Sequence, residues 1–272
     1  MFRRDCLYLL ERERRTLAAF DRHLARRLHE KRLIGQMLFE YGTLLNAHPC
    51  WTGLTVLDIG TGSSTLPRWM AFQGASVVCF EYPRPVEKMV RPGMLARLTN
   101  AAGESSRGGL RWVFGNMLDL PFEDNVFDLV SSFTVVEHLD TEVTDRSYVP
   151  YQQQKTRVAQ LLTEMIRVAK PGGHIYITSE CCDYMRATKD LWRPHYYFKG
   201  AGPDLSGAWP VCEVQDIFYD YLIEHGCSLV GPISFSPSDL AGDARFETFR
   251  GPFFSGFAVL AQKNRTEGVE PD

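Results

Sequence analysis

The sequence predicts an α/β fold in which a mostly parallel sheet is covered by helices. From residue 55 onward, short runs rich in β-branched and aromatic residues alternate with segments of helical periodicity, a rhythm typical of parallel strands with helical crossovers. One run, VLDIGTGSS at 56–64, passes from an apolar strand into two glycines and two hydroxyl residues. A length of 272 residues and a hydrophobic content of 44% allow one large domain with a modest extension.

The first fifty residues are predicted to form amphipathic helices. Apolar residues recur there every three or four positions, at Leu17, Phe20, Leu24, Leu28, Leu33, Ile34, Met37, Leu38, Tyr41, Leu44 and Leu45. The pattern breaks at 48–53, where Pro49 and Gly53 interrupt it. We therefore expect a helical extension over 1–50 that packs against a main domain over 51–263.

Strands and helices then alternate along the main domain. The predicted strands lie at 55–59, 76–80, 110–114, 127–132 and 174–178, with helices in the intervals. A helix at 214–224, a strand near 228–233 and a last strand at 254–261 follow, and 264–272 is a polar tail. The segment 181–210 is too long for an ordinary connection and is rich in aromatic residues.

Composition excludes several classes of protein. No apolar run approaches the roughly 20 residues that span a bilayer. Seven cysteines without CxxC spacing indicate reduced thiols in cytoplasm, and the adjacent Cys181 and Cys182 are not expected to bind zinc. The net charge of −3 gives no overall attraction to nucleic acid, although residues 1–32 hold ten Lys or Arg against five Asp or Glu, which a solvated helix face explains.

The glycine turn after the first strand predicts a ligand site that favours positive charge. Gly60 and Gly62 permit tight turns and close ligand approach, and the next helix offers unpaired N–H groups. Thr65 stands where a dinucleotide site requires glycine or alanine. Asp58 would face the crevice and repel a pyrophosphate, but it suits the ammonium and sulfonium groups of S-adenosylmethionine. Glu81, at the end of the second strand, can accept hydrogen bonds from both ribose hydroxyls.

The order of these motifs resembles that of class I S-adenosylmethionine-dependent methyltransferases, notably their small-molecule branch. The resemblance covers about residues 52–180 and rests on VLDIGTGSS, the strand that ends in Glu81, GNMLDLPFEDNVFDLV at 115–130 and EMIRVAKPGGHIYITSE at 164–180. It implies a three-layer α/β/α sandwich whose seven-stranded sheet has the order 3-2-1-4-5-7-6, with strand 7 antiparallel. The segment 51–263 would then be the methyltransferase domain.

The resemblance also implies roles for individual residues. The methionine portion of the cofactor would be held by Asp58, Gly60, Thr61 and Gly62, and its ribose by Glu81. Asn116 and Met117 would lie at the adenine edge. Asn116 replaces the usual Asp, but its amide oxygen can still accept from the adenine amino group, and Ser64 replaces a frequent third glycine.

Phe133 and Thr134, just past the fourth strand, are expected beside the sulfonium, because ligands bind outside the carboxyl ends of parallel strands at the switch point.

Three residues, Glu137, His138 and His195, are candidates for a general base. Glu137 and His138 follow at the rim, although His138 could equally cap a short helix. His195 lies in the segment 181–210, which would form either a cover for an acceptor or a loop packed by its own aromatic residues.

The predicted function is methylation of a small molecule on oxygen, with nitrogen and carbon as alternative acceptor atoms, in a biosynthetic pathway and with S-adenosylhomocysteine as the second product. No Asn or Asp followed by Pro-Pro-Tyr appears after the fourth strand, which disfavours amino methylation of nucleic-acid bases and of protein glutamine. Two alternatives stay open: a protein or RNA methyltransferase that uses its basic first helix, and a cofactor-binding scaffold without catalysis. The amphipathic helices could also build a homodimer.

Overall fold

A computed structural model describes residues 35–47, 50–62, 64, 66–82, 109–140, 151–182, 209–210, 214–231, 233–235 and 254–265. It contains four α-helices within these ranges: α1 (Gly35–Ala47), α2 (Leu66–Phe72), α3 (Tyr151–Val168) and α4 (Tyr221–Glu224). A 3₁₀ turn occupies Val136–Asp140, and a π-helical turn at Gln215–Asp220 leads directly into α4. None of the helices in the described ranges is long and apolar enough to cross a membrane.

The described strands form one sheet. They are β1 (Thr55–Ile59), β2 (Ser76–Glu81), β3 (Leu110–Phe114), β4 (Phe127–Phe133), β5 (Ala169–Cys182), β6 (Trp209–Pro210), β7 (Cys227–Leu229), β8 (Ser234–Phe235) and β9 (Phe254–Lys263). Their order is β3-β2-β1-β4-β5-β9-β7, with the two-residue strands β6 and β8 paired to β5 and β9. Only β9 runs antiparallel to its neighbours β5 and β7 along this path. This arrangement confirms the predicted order 3-2-1-4-5-7-6.

The sheet separates two hydrophobic layers, because neighbouring residues of each strand point to opposite faces. One face carries Leu57 and Ile59 of β1 and packs on the buried side of α3. The other carries Val56 of β1 and packs on α1 and α2. The helical extension predicted over 1–50 thus has its described part, α1, packed on the sheet, whereas residues 1–34 lie outside the described ranges.

Strands β1 and β3 begin and end at the predicted residues. Strand β5 differs from its prediction in length, and the helix near residue 220 differs in type. Strand β5 extends over fourteen residues instead of the predicted five, because β9 pairs with it from His174 to Cys182 and Ala169 pairs with Phe127 through an irregular register. The segment predicted as a helix at 214–224 starts as a π-helical turn. Its apolar residues Val214, Phe218 and Leu222 are fully buried at a spacing of four, which does not distinguish the two kinds of helix.

Candidate active site

The candidate site lies at the carboxyl ends of β1, β2 and β4. Strand β1 pairs in parallel with β2 on one side and β4 on the other. The chain moves outward to β2 and β3 and then returns to the far side of β1 as β4, so a topological switch point falls between β1 and β4. Ligands of open parallel sheets bind in the crevice at such a point.

The two glycines of the turn after β1 serve different purposes. Gly60 has a φ of +71°, and a Cβ on it would lie 2.5 Å from a γ-carbon of Val135, so it allows this turn to pack on the turn after β4. Gly62 has a φ of +52°, and the nearest atom to a Cβ there would be the Gly60 carbonyl oxygen at 3.8 Å. Among the residues that the structure describes, nothing therefore fills the space above Gly62, whereas Val135 fills the space above Gly60.

Asp58 is buried in β1, with 1% of its surface exposed. Ser131 of β4 donates a hydrogen bond of 2.8 Å to its carboxyl group, and the Thr61 hydroxyl donates to its main-chain oxygen at 2.9 Å. Burial raises the pKa of Asp58 to about 7, and the charge of Glu81 adds to this, while hydrogen bonds oppose it. The sequence suggested a carboxylate that faces the crevice; in the structure this carboxyl group is enclosed by protein, which leaves its contact with a cofactor a prediction.

Glu81 ends β2 and closes the glycine turn from the other side. Its carboxylate accepts hydrogen bonds from the Gly62 N–H at 2.9 Å and from the Tyr82 N–H at 3.0 Å. Each carboxylate oxygen can accept more than one bond. The side chain therefore remains able to accept from a diol while it fixes the turn.

Asn116 and Met117 follow β3 in a tight turn. The Asn116 side-chain oxygen accepts from the Leu118 N–H at 3.0 Å, and its main-chain oxygen accepts from the Asp119 N–H at 3.1 Å. Asn116 is exposed, and Met117 packs partly buried against the core. An Asx turn of this kind fixes the amide and leaves the oxygen with a second acceptor site.

Phe133 and Thr134 lie at the carboxyl end of β4, as the sequence predicts. The ring of Phe133 is 5.4 Å from those of Tyr41 and Tyr176, so three aromatic side chains meet beside the crevice. Thr134 adopts a left-handed φ of 52°, and its N–H donates to the Thr178 carbonyl oxygen at 3.0 Å. Its hydroxyl donates to a carboxylate oxygen of Glu40 at 2.8 Å.

The neighbouring base candidates lie in different environments. Glu137 is buried on the 3₁₀ turn, where its carboxylate accepts from the Ser179 hydroxyl at 2.5 Å. His138 is exposed on the same turn, with its N–H bonded to the Val135 carbonyl oxygen. Only His138 of this pair is accessible to an acceptor without rearrangement, and His195 lies outside the described residues.

Sequence reasoning missed two residues of α1 that reach this edge. The Tyr41 hydroxyl is 2.8 Å from the Ser64 hydroxyl in the glycine turn, and Glu40 contacts Thr134. Glu40 lies three or four positions from Met37 and Leu44, so a charged residue on the apolar face of the helix was the available signal. The sequence analysis placed this helix against the main domain and assigned neither Glu40 nor Tyr41 to the site.

The residues present fit S-adenosylmethionine. Among the described residues nothing fills the space next to Gly62, and the carboxyl groups of Asp58 and Glu81 lie close enough to influence each other at this turn. A cation with a diol and one carboxylate is complementary to this set. No group of three or more potential metal ligands occurs in the part of the chain that the structure describes.

Comparison with curated proteins finds relatives that are named as methyltransferases or as a protein of biotin biosynthesis. The chain is 30% identical over 149 residues to a biotin biosynthesis bifunctional protein of Cellvibrio japonicus, which covers 55% of this chain and 23% of that one. It is 29% identical over 140 residues to a chloroplastic tocopherol O-methyltransferase of Arabidopsis thaliana, at 51% and 34% coverage. A demethylmenaquinone methyltransferase of Thermobifida fusca is 27% identical over 172 residues, covering 62% of each chain. The chain thus spans less than two thirds of the length of each relative.

Solved structures share the fold. An S-adenosylmethionine-dependent methyltransferase from Methanosarcina mazei superposes with a TM-score of 0.54 at 17% identity, covering 78% of this chain and 93% of that one. Another, from Mesorhizobium loti, gives a TM-score of 0.50 at 21% identity, with 82% and 97% covered. Residues 57–177 match the family model described as a methyltransferase domain. This match and the sheet order show that residues 57–177 resemble a methyltransferase domain of the Rossmann-like fold.

Proposed function

We propose that this chain transfers the methyl group of S-adenosylmethionine to an oxygen atom of a small-molecule acceptor in a biosynthetic pathway. One observation supports this most: the Glu81 carboxylate closes the glycine turn that follows the buried Asp58, at the carboxyl ends of β1, β2 and β4. Such a site offers acidic side chains to a cation, while the N–H groups of Gly60 and Gly62 are bonded to the Phe80 carbonyl oxygen and the Glu81 carboxylate. Few other adenosine-containing cofactors carry net positive charge beside their ribose.

The residues would divide the cofactor between them. Asp58 and the turn at Gly60, Thr61 and Gly62 would hold its methionine end, and Glu81 would accept from the ribose. Asn116 and Met117 would contact the adenine. When bound, the cofactor supplies a methyl group on a positively charged sulfur, so the protein's main task is to align donor and acceptor.

The choice of oxygen rests on the base and on the relatives. A hydroxyl acceptor must lose its proton, whereas a neutral amine need not. His138 is an exposed residue at the rim that could accept this proton. One of the relatives is named as an O-methyltransferase, which supports oxygen, whereas the names of the demethylmenaquinone methyltransferases specify no methylated atom.

The experiment is an assay of methyl transfer with matched histidine variants. The purified chain is incubated with S-adenosylmethionine and panels of hydroxylated and amino acceptors, and products are identified by mass spectrometry. His138→Ala is expected to lower turnover about a hundredfold, as loss of a general base does, with cofactor affinity changed less than about twofold. His225→Ala is the control, because His225 precedes β7 at the opposite edge of the sheet and is exposed.

Unchanged turnover in His138→Ala would end the assignment of this base. Methylation of protein or RNA alone, with steep salt dependence of binding, would instead support the use of the basic residues 1–32 on a polymer. Cofactor binding without transfer to any acceptor would favour a scaffold.

A further inference from the structure

We propose that Glu40 of α1 is a cofactor-binding residue that recognises the positive charge on the sulfur of S-adenosylmethionine. This rests on the proposed function, and it gives that site a means to distinguish the charged substrate from its neutral-sulfur product. Glu40 belongs to the N-terminal helix and to none of the motifs between residues 52 and 180. It therefore adds a third acidic side chain to the site.

Hydrogen bonds fix both the side chain and the main chain of Glu40 near the switch point. Its carboxylate accepts from the Thr134 hydroxyl at 2.8 Å, and its main-chain oxygen accepts from the Tyr176 hydroxyl at 2.6 Å. Only 2% of the residue is exposed. Tyr176 stands opposite Ser131 in the register of the sheet, and Ser131 stands opposite Asp58. Glu40 thus covers the same face of the sheet as Asp58, at the carboxyl end of β4.

The surroundings favour a cation at this point. The residue before Thr134, Phe133, packs against Tyr41 and Tyr176 to form an aromatic group. Aromatic faces attract cations. An amide oxygen can also accept the Thr134 hydrogen bond, so this contact does not by itself require a charged group. An ionised Glu40 would attract a nearby positive charge more strongly in this buried setting than at the surface.

Helix α1 is also tied to the glycine turn. Tyr41 follows Glu40, and its hydroxyl is 2.8 Å from that of Ser64, which lies between Gly62 and α2. The Ser64 hydroxyl in turn accepts from the Leu66 N–H at 3.4 Å. The carboxylate of Glu40 is thereby held in fixed relation to the turn that holds the methionine end of the cofactor.

A charge at this position affects substrate and product differently. Methyl transfer converts the positively charged sulfur to a neutral thioether, while the ammonium, carboxylate, ribose and adenine remain. A carboxylate that faces the sulfur therefore loses its attraction after the reaction. Carboxylates that contact only the ribose or ammonium would bind both molecules alike.

The test is calorimetric titration of the wild type, Glu40→Gln, Glu40→Asp and Tyr41→Phe with S-adenosylmethionine and with S-adenosylhomocysteine. Glu40→Gln keeps an acceptor for Thr134 and removes only the charge. We expect it to weaken binding of the charged substrate about tenfold, as for a unit charge about 10 Å away at an effective dielectric constant of about 20. Binding of the product should change less than about twofold.

The ratio of the two affinities within each variant is the decisive quantity, since loss of folded protein affects both ligands equally. Glu40→Asp should keep the wild-type preference, and Tyr41→Phe should weaken both ligands by a similar factor. An unchanged affinity ratio in Glu40→Gln would overturn the proposal. Failure of the wild type to bind either ligand would instead refute the cofactor assignment.

Discussion

Asp58 is a residue whose ionisation is set by its surroundings. The carboxyl group is enclosed in β1, and burial raises its pKa to about 7. The charge of Glu81 raises it further, whereas the hydrogen bonds of Thr61 and Ser131 lower it. A cation in the crevice would favour the ionised form and lower this pKa again. Cofactor binding is thus expected to be coupled to the loss of a proton.

The first prediction concerns this proton. At about pH 6.5 the Asp58 carboxyl group is largely protonated before binding and ionised afterwards, so binding of S-adenosylmethionine should release up to one proton. Calorimetry in two buffers of different ionisation enthalpy measures this number. Near pH 9 the group is ionised beforehand and the release should vanish.

Asp58→Asn supplies the control, because the amide oxygen can still accept from Ser131 but has no proton to lose. This variant should bind the cofactor more weakly and without proton release at pH 6.5. Equal release by Asp58→Asn and the wild type would exclude Asp58 as its source.

The site residues in the sequence motifs could be predicted, but their environments could not. The glycine turn and the strand ends identify Asp58, Glu81 and Thr134 because these lie in local motifs. Burial of Asp58 depends on Ser131, 73 residues away, which only the register of β1 and β4 brings opposite to it. Glu137 is enclosed for the same reason, by Ser179 of β5.

Among the elements, the turns after β1 and β4 act as one packed unit. Val135 occupies the space above Gly60 that a side chain there would need. The Gly60 N–H also donates to the Phe80 carbonyl oxygen at 2.8 Å, which links this unit to β2. Three strand ends are therefore held together before any ligand binds.

Replacement of Gly60 by Ala tests this packing. A Cβ would lie 2.5 Å from Val135 at a φ of +71°, so steric overlap adds to backbone strain and should lower the free energy of unfolding by about 3 kcal/mol. Chemical denaturation measures it.

Gly53→Ala is a matched control, since its φ is +81° but no atom of the described residues lies within 4 Å of the added carbon. It should cost only about 1 kcal/mol, the price of the left-handed backbone. Combining Gly60→Ala with Val135→Ala should recover part of the loss. Equal destabilisation by the two Ala variants would mean that Val135 does not constrain Gly60.

The elements differ in how well the sequence predicts them. Strands β1 and β3 are short and bounded by glycines or polar turns, so local signals suffice for their ends. The length of β5 depends on its pairing with β9, about 80 residues away along the chain. The parallel pairing of Cys181 and Cys182 with Trp209 and Pro210 is likewise long-range. It brings both ends of the segment 181–210 to the carboxyl end of β5, while the proposal that this segment covers an acceptor concerns residues outside the described ranges.

At the scale of the whole molecule, the layered fold gathers residues from distant segments at one edge of the sheet. Asp58, Glu81 and Thr134 lie at or next to the carboxyl ends of the neighbouring parallel strands β1, β2 and β4, and α1 adds Glu40. The sheet order follows from the resemblance of the motifs and is confirmed. The place of α1 could not be predicted, because an amphipathic pattern shows that a helix packs but not which surface receives it.

The most direct measurement is calorimetric titration of the wild type and Glu81→Gln with S-adenosylmethionine and with a nicotinamide dinucleotide. The wild type should bind one S-adenosylmethionine per chain and show no measurable affinity for the dinucleotide. Glu81→Gln should bind S-adenosylmethionine at least about tenfold more weakly than the wild type, because charge-assisted hydrogen bonds to the ribose are lost. Glu123→Gln, in an exposed turn before β4, should behave as wild type. Preference for the dinucleotide, or no uptake of S-adenosylmethionine by the wild type, would contradict the account.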